Sequence, residues 1–196
     1  MRATDNRYAA ERERFDLAVR MIGHEARTGT IRLCTGFTED RIRKIYVSYF
    51  PGRATVRRRR GKSPTQIGPL ISSARRQGEA SLLAGLFVQA GVVRLGPDTR
   101  PLPATTAPGV PLGHGLCEAF EAYLALHPDP QFSFEWAWNL YRCLVSRREL
   151  KLVWCELCDG PYVQDAYALD YARCPFCELK DQAGPGARRD PANLPR

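Results

Sequence analysis

Apolar residues recur along this chain with a helical period and seldom alternate, so a mainly α architecture is expected. Over residues 9–27, Phe15, Ala18, Ile22 and Ala26 share one stripe, with Leu17 and Met21 beside it. Thr28-Gly29 interrupts that pattern, a short helical piece is expected over 30–35, and Gly36-Phe37 makes a turn. Thr38 is placed to cap a further helix, with Glu39 and Asp40 in the first turn where the helix dipole favours negative charge. This helix is expected to run to about Tyr49 and to stop at Pro51-Gly52. Ile42, Ile45, Tyr46 and Tyr49 define its buried face, and Arg41, Lys44 and Ser48 lie opposite, with Arg43 and Val47 on the flank.

Residues 53–69 read as an exposed loop. A helix is expected over 79–90, with Leu82, Leu83, Leu86, Phe87 and Ala90 on its apolar face and Gly91 at its end. Five prolines between 96 and 115 predict an irregular surface loop. Helices over 116–126 and 132–149 follow, the second dense in aromatic residues that read chiefly as core. A strand is expected at 150–154, with further strand segments at 162–164 and 167–171 that would pair between two groups of cysteines. Residues 182–196 are rich in Gly, Pro and Arg and read as a disordered tail.

Charge changes the picture in one region. The formal net charge is +8, and residues 41–62 carry nine basic and no acidic side chains. A field of that sign attracts polyanions, of which nucleic acid is the commonest, although a solubilising basic loop would have the same composition. A short helix, a glycine turn and a second helix with a basic outer face form a candidate helix-turn-helix over about 28–50, a pattern that two ordinary packed helices also leave. On the DNA reading, Arg41, Arg43, Lys44 and Ser48 would reach base edges or phosphates, while Arg57, Arg58, Arg59 and Arg60 would hold phosphates. No apolar run approaches a membrane span and the N-terminus has no signal-peptide core, so a cytoplasmic location and no membrane partner are expected.

The cysteines carry the most specific chemistry. Cys155 with Cys158 and Cys174 with Cys177 form two C-x-x-C pairs separated by fifteen residues. Two intervening residues let both sulfurs of a pair reach one ion, and two pairs supply the four thiolates that close a tetrahedral zinc site. One Zn2+ per chain is expected, with no open position and therefore a structural role. Cys34, Cys117 and Cys143 fall within apolar helical patterns and read as small core residues. Neither a P-loop nor a G-x-G-x-x-G fingerprint occurs, and the three histidines have no recognisable catalytic companions, so no enzyme is expected.

The order of these features resembles the FlhC family. The resemblance covers about residues 9–180 and rests on Arg41-Ile42-Arg43-Lys44-Ile45-Tyr46, Phe87-Val88-Gln89-Ala90-Gly91, Ala137-Trp138-Asn139-Leu140-Tyr141-Arg142 and the four paired cysteines. It implies zinc at Cys155, Cys158, Cys174 and Cys177. It also implies a hetero-oligomer with an FlhD-type subunit that binds promoter double-stranded DNA and recruits RNA polymerase holoenzyme to flagellar operons. FlhC-like activators also serve conjugative-transfer genes, and a zinc-ribbon RNA-binding protein would share the cysteines and the basic stretch. The expected organisation is a helical DNA- and partner-binding domain over 1–150, a four-cysteine zinc-ribbon-like module with short β-strands over 151–181, and the tail.

Overall fold

The computed structural model describes residues 3–51, 56, 61–97, 100–105, 107–146, 149–168 and 174–183. Within these residues the chain is mainly helical, with two small antiparallel strand pairs. Helices α1 (Ala3–Gly23), α2 (Thr28–Thr35) and α3 (Glu39–Tyr49) pack on one another. After α4 (Gly68–Ile71) and α5 (Ala74–Gln89), strands β1 (Val93–Leu95) and β2 (Pro101–Pro103) form the first ribbon. Helices α6 (Val110–Leu126) and α7 (Phe134–Ser146) complete the helical layer. Strands β3 (Leu150–Trp154) and β4 (Pro161–Asp165) form the second ribbon, and α8 (Pro175–Gln182) ends the described chain. No helix among the described residues is long and apolar enough to cross a membrane.

The α2–α3 corner is set by local chemistry. Gly36 caps α2 in the left-handed region at φ 73°, where a side chain would be strained, and its N–H reaches Arg32 O. The Thr35 hydroxyl donates to Ile31 O at 2.8 Å and accepts from Phe37 N–H at 3.2 Å. Thr38 Oγ1 then accepts from Arg41 N–H at 3.3 Å, as a helix N-cap does. Ile42 and Ile45 are buried, but Tyr49 stays 56% exposed although its ring meets Phe15 edge-on at 5.3 Å.

Helix α5 lies at the centre. Ala80, Leu83, Ala84 and Phe87 are buried within the main core, and α6, α7, β1, β4 and α8 all pack on this helix. Its buried Glu79 accepts hydrogen bonds from the Tyr123 hydroxyl, from Gln131 N–H at 2.9 Å and from Arg75 Nε at 3.2 Å. Close approach to α6 depends on two glycines. A Cβ at Gly113 would stand 2.6 Å from Leu17 Cδ2, and one at Gly115 would stand 2.3 Å from Val92 Cγ1.

Several expectations need correction. α1 ends four residues early, where Glu25 takes φ 58°, and α2 begins at Thr28. α5 starts at Ala74 because Ser73 caps it, its Oγ accepting from Arg76 N–H at 3.3 Å. The segment 96–115 is not wholly irregular, since β2 and the first turns of α6 lie in it. Proline is tolerated at both places: β2 belongs to a two-stranded ribbon with an unpaired edge, and Pro111 sits in the first turn of α6, where an N–H has no intrahelical partner. α7 is described over Phe134–Ser146, starting two residues later than expected; residues 147 and 148 lie outside the described set, and Glu149 is not helical. β4 pairs with β3; Ala166 and Tyr167 form a turn where a strand was expected, and residues 169–171 lie outside the described set. Helices α4 and α8 were not expected, and of the tail segment only Gln182 and Ala183 are described.

A polar cluster joins α1 to α6. Arg20 grips Glu121 with two nitrogens, at 2.8 and 2.6 Å, and His24 Nε2 lies 2.7 Å from Glu121 Oε1. The His24 ring stacks on Phe134 at 5.9 Å and meets Phe120 edge-on at 5.5 Å. The Arg20 hydrogen bonds hold the Glu121 carboxyl at about 2, well below the usual carboxylate range. A depressed carboxylate pKa stabilises the fold above the unfolded-state value of about 4.3 and loses that contribution as pH falls toward 2.

Glu121→Gln is therefore expected to cost about 1 kcal/mol at neutral pH, a modest figure because the pair is partly exposed. Its stability curve should be flatter than the wild type's between about pH 5 and pH 2. Chemical denaturation at several pH values checks this, and parallel curves would contradict it. Gly113→Ala should destabilise by about 1–3 kcal/mol despite the better helix propensity of alanine, because Leu17 must move. A thermal melt reads that loss, and an unchanged or raised Tm would contradict the close approach.

Candidate metal centre and basic surface

The two cysteine pairs are presented by different local structures. Cys155 and Cys158 lie in the tight connection between β3 and β4, closed by Cys155 N–H to Gly160 O at 3.0 Å and Asp159 N–H to Cys155 O at 2.9 Å. Asp159 takes φ 54° there, which lets the chain reverse. Cys174 is the N-cap of α8, its sulfur accepting from Cys177 N–H at 3.3 Å, and Pro175 follows in the first turn. One pair therefore projects from a strand turn and the other from a helix start.

All four sulfurs lie within 4.8 Å of one another. Cys155 Sγ is 3.9 Å from Cys177 Sγ, and Cys158 Sγ is 3.5 Å from Cys174 Sγ. Tetrahedral coordination with metal–sulfur bonds of about 2.3 Å places neighbouring sulfurs about 3.8 Å apart. The cluster can thus hold a metal ion, and four soft thiolates in this geometry are compatible with zinc. Cys155 and Cys174 are buried while Cys158 is exposed, so the site sits at the surface with a dry inner side.

Proton affinities within the cluster diverge. Backbone N–H groups of Cys158 and Leu157 draw the Cys155 thiol down to about 6. Hydrogen bonding to Cys174 and burial push Cys177 up to about 12, and burial raises Cys174. One thiolate forms readily and its neighbours then resist ionisation, a conflict that a divalent cation between them removes. The other cysteines differ: burial, as the main cause, pushes Cys34 and Cys117 up to about 12 and Cys143 up to about 11, as for inert core thiols.

The basic residues predicted on α3 are at the surface, though none stands alone. Arg41 pairs with Glu11 of α1, and its guanidinium lies 4.0 Å above the centre of the Phe37 ring. Arg43 and Lys44 both pair with Asp40, each at 3.0 Å. Ser48 is exposed, as is Val47 at 65%. Arg57, Arg58, Arg59 and Arg60 lie outside the described residues. The structure thus brings the four cysteines together and puts Arg43, Lys44 and Ser48 on one exposed helix. Arg41 is held back against α1.

Two supporting features were not read from the sequence. Helix α8, which carries the second cysteine pair, has its signal in Cys174-Pro175 with Glu178 in the first turn, a cap, a first-turn proline and a favourable acid. Buried Glu135 accepts from Arg27 N–H at 2.7 Å, Thr30 Oγ1 at 3.2 Å and the Ser63 hydroxyl, tying α7 to the start of α2. No local pattern marks that role, because its partners are more than seventy residues away. No protein-family model matches this chain, and no curated protein matches it.

Elemental analysis of the purified chain is expected to find one thiophilic divalent ion, and Cys155→Ser is expected to lose it. The same change should lower Tm by about 6–12 °C, the effect of losing roughly 3 kcal/mol in a chain of this length. Full metal retention by Cys155→Ser would contradict the four-sulfur site.

Proposed function

We propose that the chain is a DNA-binding subunit of a transcriptional activator. In this reading α2 and α3 act as a helix-turn-helix, and zinc, one ion per chain, fixes the C-terminal module. The observation that carries it is the corner itself: two short helices joined by a capped three-residue turn, the second with an exposed face of Arg43, Lys44 and Ser48. A helix so placed can enter the major groove, where Arg and Lys meet guanine acceptors and Ser meets either kind of edge.

The ion pairs on α3 do not oppose this role. Arg43, Lys44 and Asp40 are all more than half exposed, and such surface pairs contribute about 0–1 kcal/mol. Phosphates or base edges can therefore draw both cations away from Asp40. Arg41 is less available, since leaving Glu11 also breaks its stacking on Phe37. Its part in this reading is to orient α3 against α1. The formal charge of +8 supports non-specific attraction to the duplex.

The FlhC-like features of the sequence extend the proposal. The chain would join an FlhD-type subunit and recruit RNA polymerase at flagellar promoters, or at conjugative-transfer promoters in a divergent setting. Arg57, Arg58, Arg59 and Arg60 would add phosphate contacts that increase affinity without choosing sequence.

The test is fluorescence anisotropy with promoter duplex and with structured RNA, using the chain assembled with its FlhD-type partner. Duplex should bind more tightly than RNA, and Lys44→Ala with Ser48→Ala should cost about 1–3 kcal/mol for the cognate sequence only. Alanine at all four of Arg57, Arg58, Arg59 and Arg60 should weaken all sequences alike and reduce the salt slope by up to about 3–4. Preference for RNA, or a duplex affinity indifferent to both sets of changes, would refute the reading.

A further inference from the structure

A cleft of about 580 Å³ opens where the start of α2, the segment 61–65 and α7 meet. Four cations line it: Arg27, Arg32, Lys62 and Arg142. Arg32 has Glu39 at 3.5 Å, whereas among the described residues no acidic group pairs with the side chains of Arg27, Lys62 or Arg142. Arg27 Nε is sealed from solvent without any hydrogen-bond partner. A donor of a charged group left in that state costs free energy, which an anion beside the cleft-facing part of the same guanidinium would offset in part.

The Glu135 carboxylate, beneath the cleft, is already committed. Glu135 accepts from the Arg27 backbone N–H, from Thr30 and from Ser63, so it holds the walls together. With Glu39 it still leaves the four cations in excess. The N-terminus of α2 adds to the field, because Arg27 at the N-cap supplies no side-chain bond to the helix.

The cleft has an apolar continuation. Leu33, Trp138 and Arg142 also border an adjoining cleft of about 490 Å³ whose other walls include Pro103, Pro108 and Tyr141. Trp138 and Tyr141 stack there with centroids 5.6 Å apart. A cationic end thus runs into an aromatic and proline-lined end, the complement of a phosphate that carries a planar ring.

We propose that this cleft is a phosphate site whose ligand is a nucleotide, either a free mononucleotide or a unit of the DNA strand. The first source goes beyond the DNA-binding reading and the second rests on it. Arg142 and Lys62 would meet the phosphate from the exposed rim and Arg27 from below. The planar ring of a free mononucleotide would lie toward Trp138, whereas a duplex would present only its phosphate to the cations.

Calorimetric titration of the full metal-loaded chain with AMP, inorganic phosphate and adenosine tests this, beside duplex binding by the assembled complex. Lys62 and Arg142 are both exposed, so Lys62→Ala/Arg142→Ala should keep its Tm. A free-nucleotide site predicts AMP binding that weakens about tenfold in this variant and adenosine binding at least about tenfold weaker than AMP. A strand site predicts no AMP binding, but a duplex affinity about tenfold lower in the variant, with a salt slope reduced by about 2. Should the variant fail to fold, the wild type's AMP or duplex affinity must fall with added salt and adenosine's must not. AMP and adenosine binding equally, or no AMP binding together with duplex binding that the variant leaves unchanged, would overturn the proposal. That last result would leave the DNA-binding reading standing. AMP binding lost in the variant, without duplex binding by the complex, would sink the DNA reading and keep the site.

Discussion

The docking of β4 onto α5 is the contact on which the C-terminal architecture depends. A two-stranded ribbon is at best marginally stable in water, so β3 and β4 need a partner surface. Helix α5 supplies it. Ser81 Oγ accepts from Val163 N–H at 2.9 Å, Gln77 Nε2 donates to Val163 O at 2.8 Å, and the Val163 side chain is fully buried in the main core. One turn away, Gly78 leaves room for Pro175, Phe176 and Leu179 of α8. The strand that follows the first cysteine pair and the helix that starts at the second are therefore both seated on one central helix. A metal ion between the pairs would join the β3–β4 turn to the start of α8. The cysteine segment would then be closed on one side by packing and on the other by coordination.

Much of this was legible in the sequence, and the misses share a cause. The α2–α3 corner was readable because its information is local: Gly36 for a positive φ, Thr38 for a cap, and apolar spacing at Ile42 and Ile45. The four cysteines were readable because ligand spacing is itself the chemistry. The partner of β4 was not, since strand register depends on which surface buries Val163, and nothing near Tyr162 names β3 or α5. The proline-rich stretch was misjudged because proline forbids donation, not structure; β2 and the start of α6 use positions where no donor is needed. Glu135 and the Arg20–Glu121–His24 cluster escaped because their partners are brought together only by the tertiary fold.

Electrostatics follow a similar division between composition and placement. The excess of positive charge is plain in the sequence, and three uses stand out among the described arginines and lysines. Arg20 and Arg75 tie helices and loops through Glu121, Glu79 and Asp129, and so serve the fold. Arg43 and Lys44 rest on exposed Asp40 and can exchange it for another anion at little cost. Arg27, Lys62 and Arg142 converge on a cleft without acidic partners among the described residues. On the proposed reading, affinity for a polyanion would reside in the second and third groups, and the first serves stability.

Hydrogen exchange read by mass spectrometry, comparing metal-loaded and chelated protein, bears on the coupling between the cysteine cluster and α5. If coordination and packing act together, chelation will raise exchange in β3, β4 and α8 and also in the first half of α5 around Gln77 and Ser81, while α1 and α3 keep their protection. Unchanged exchange in α5 and β4 after complete metal removal would contradict the account. The cysteine cluster would then be an appendage that the core does not feel.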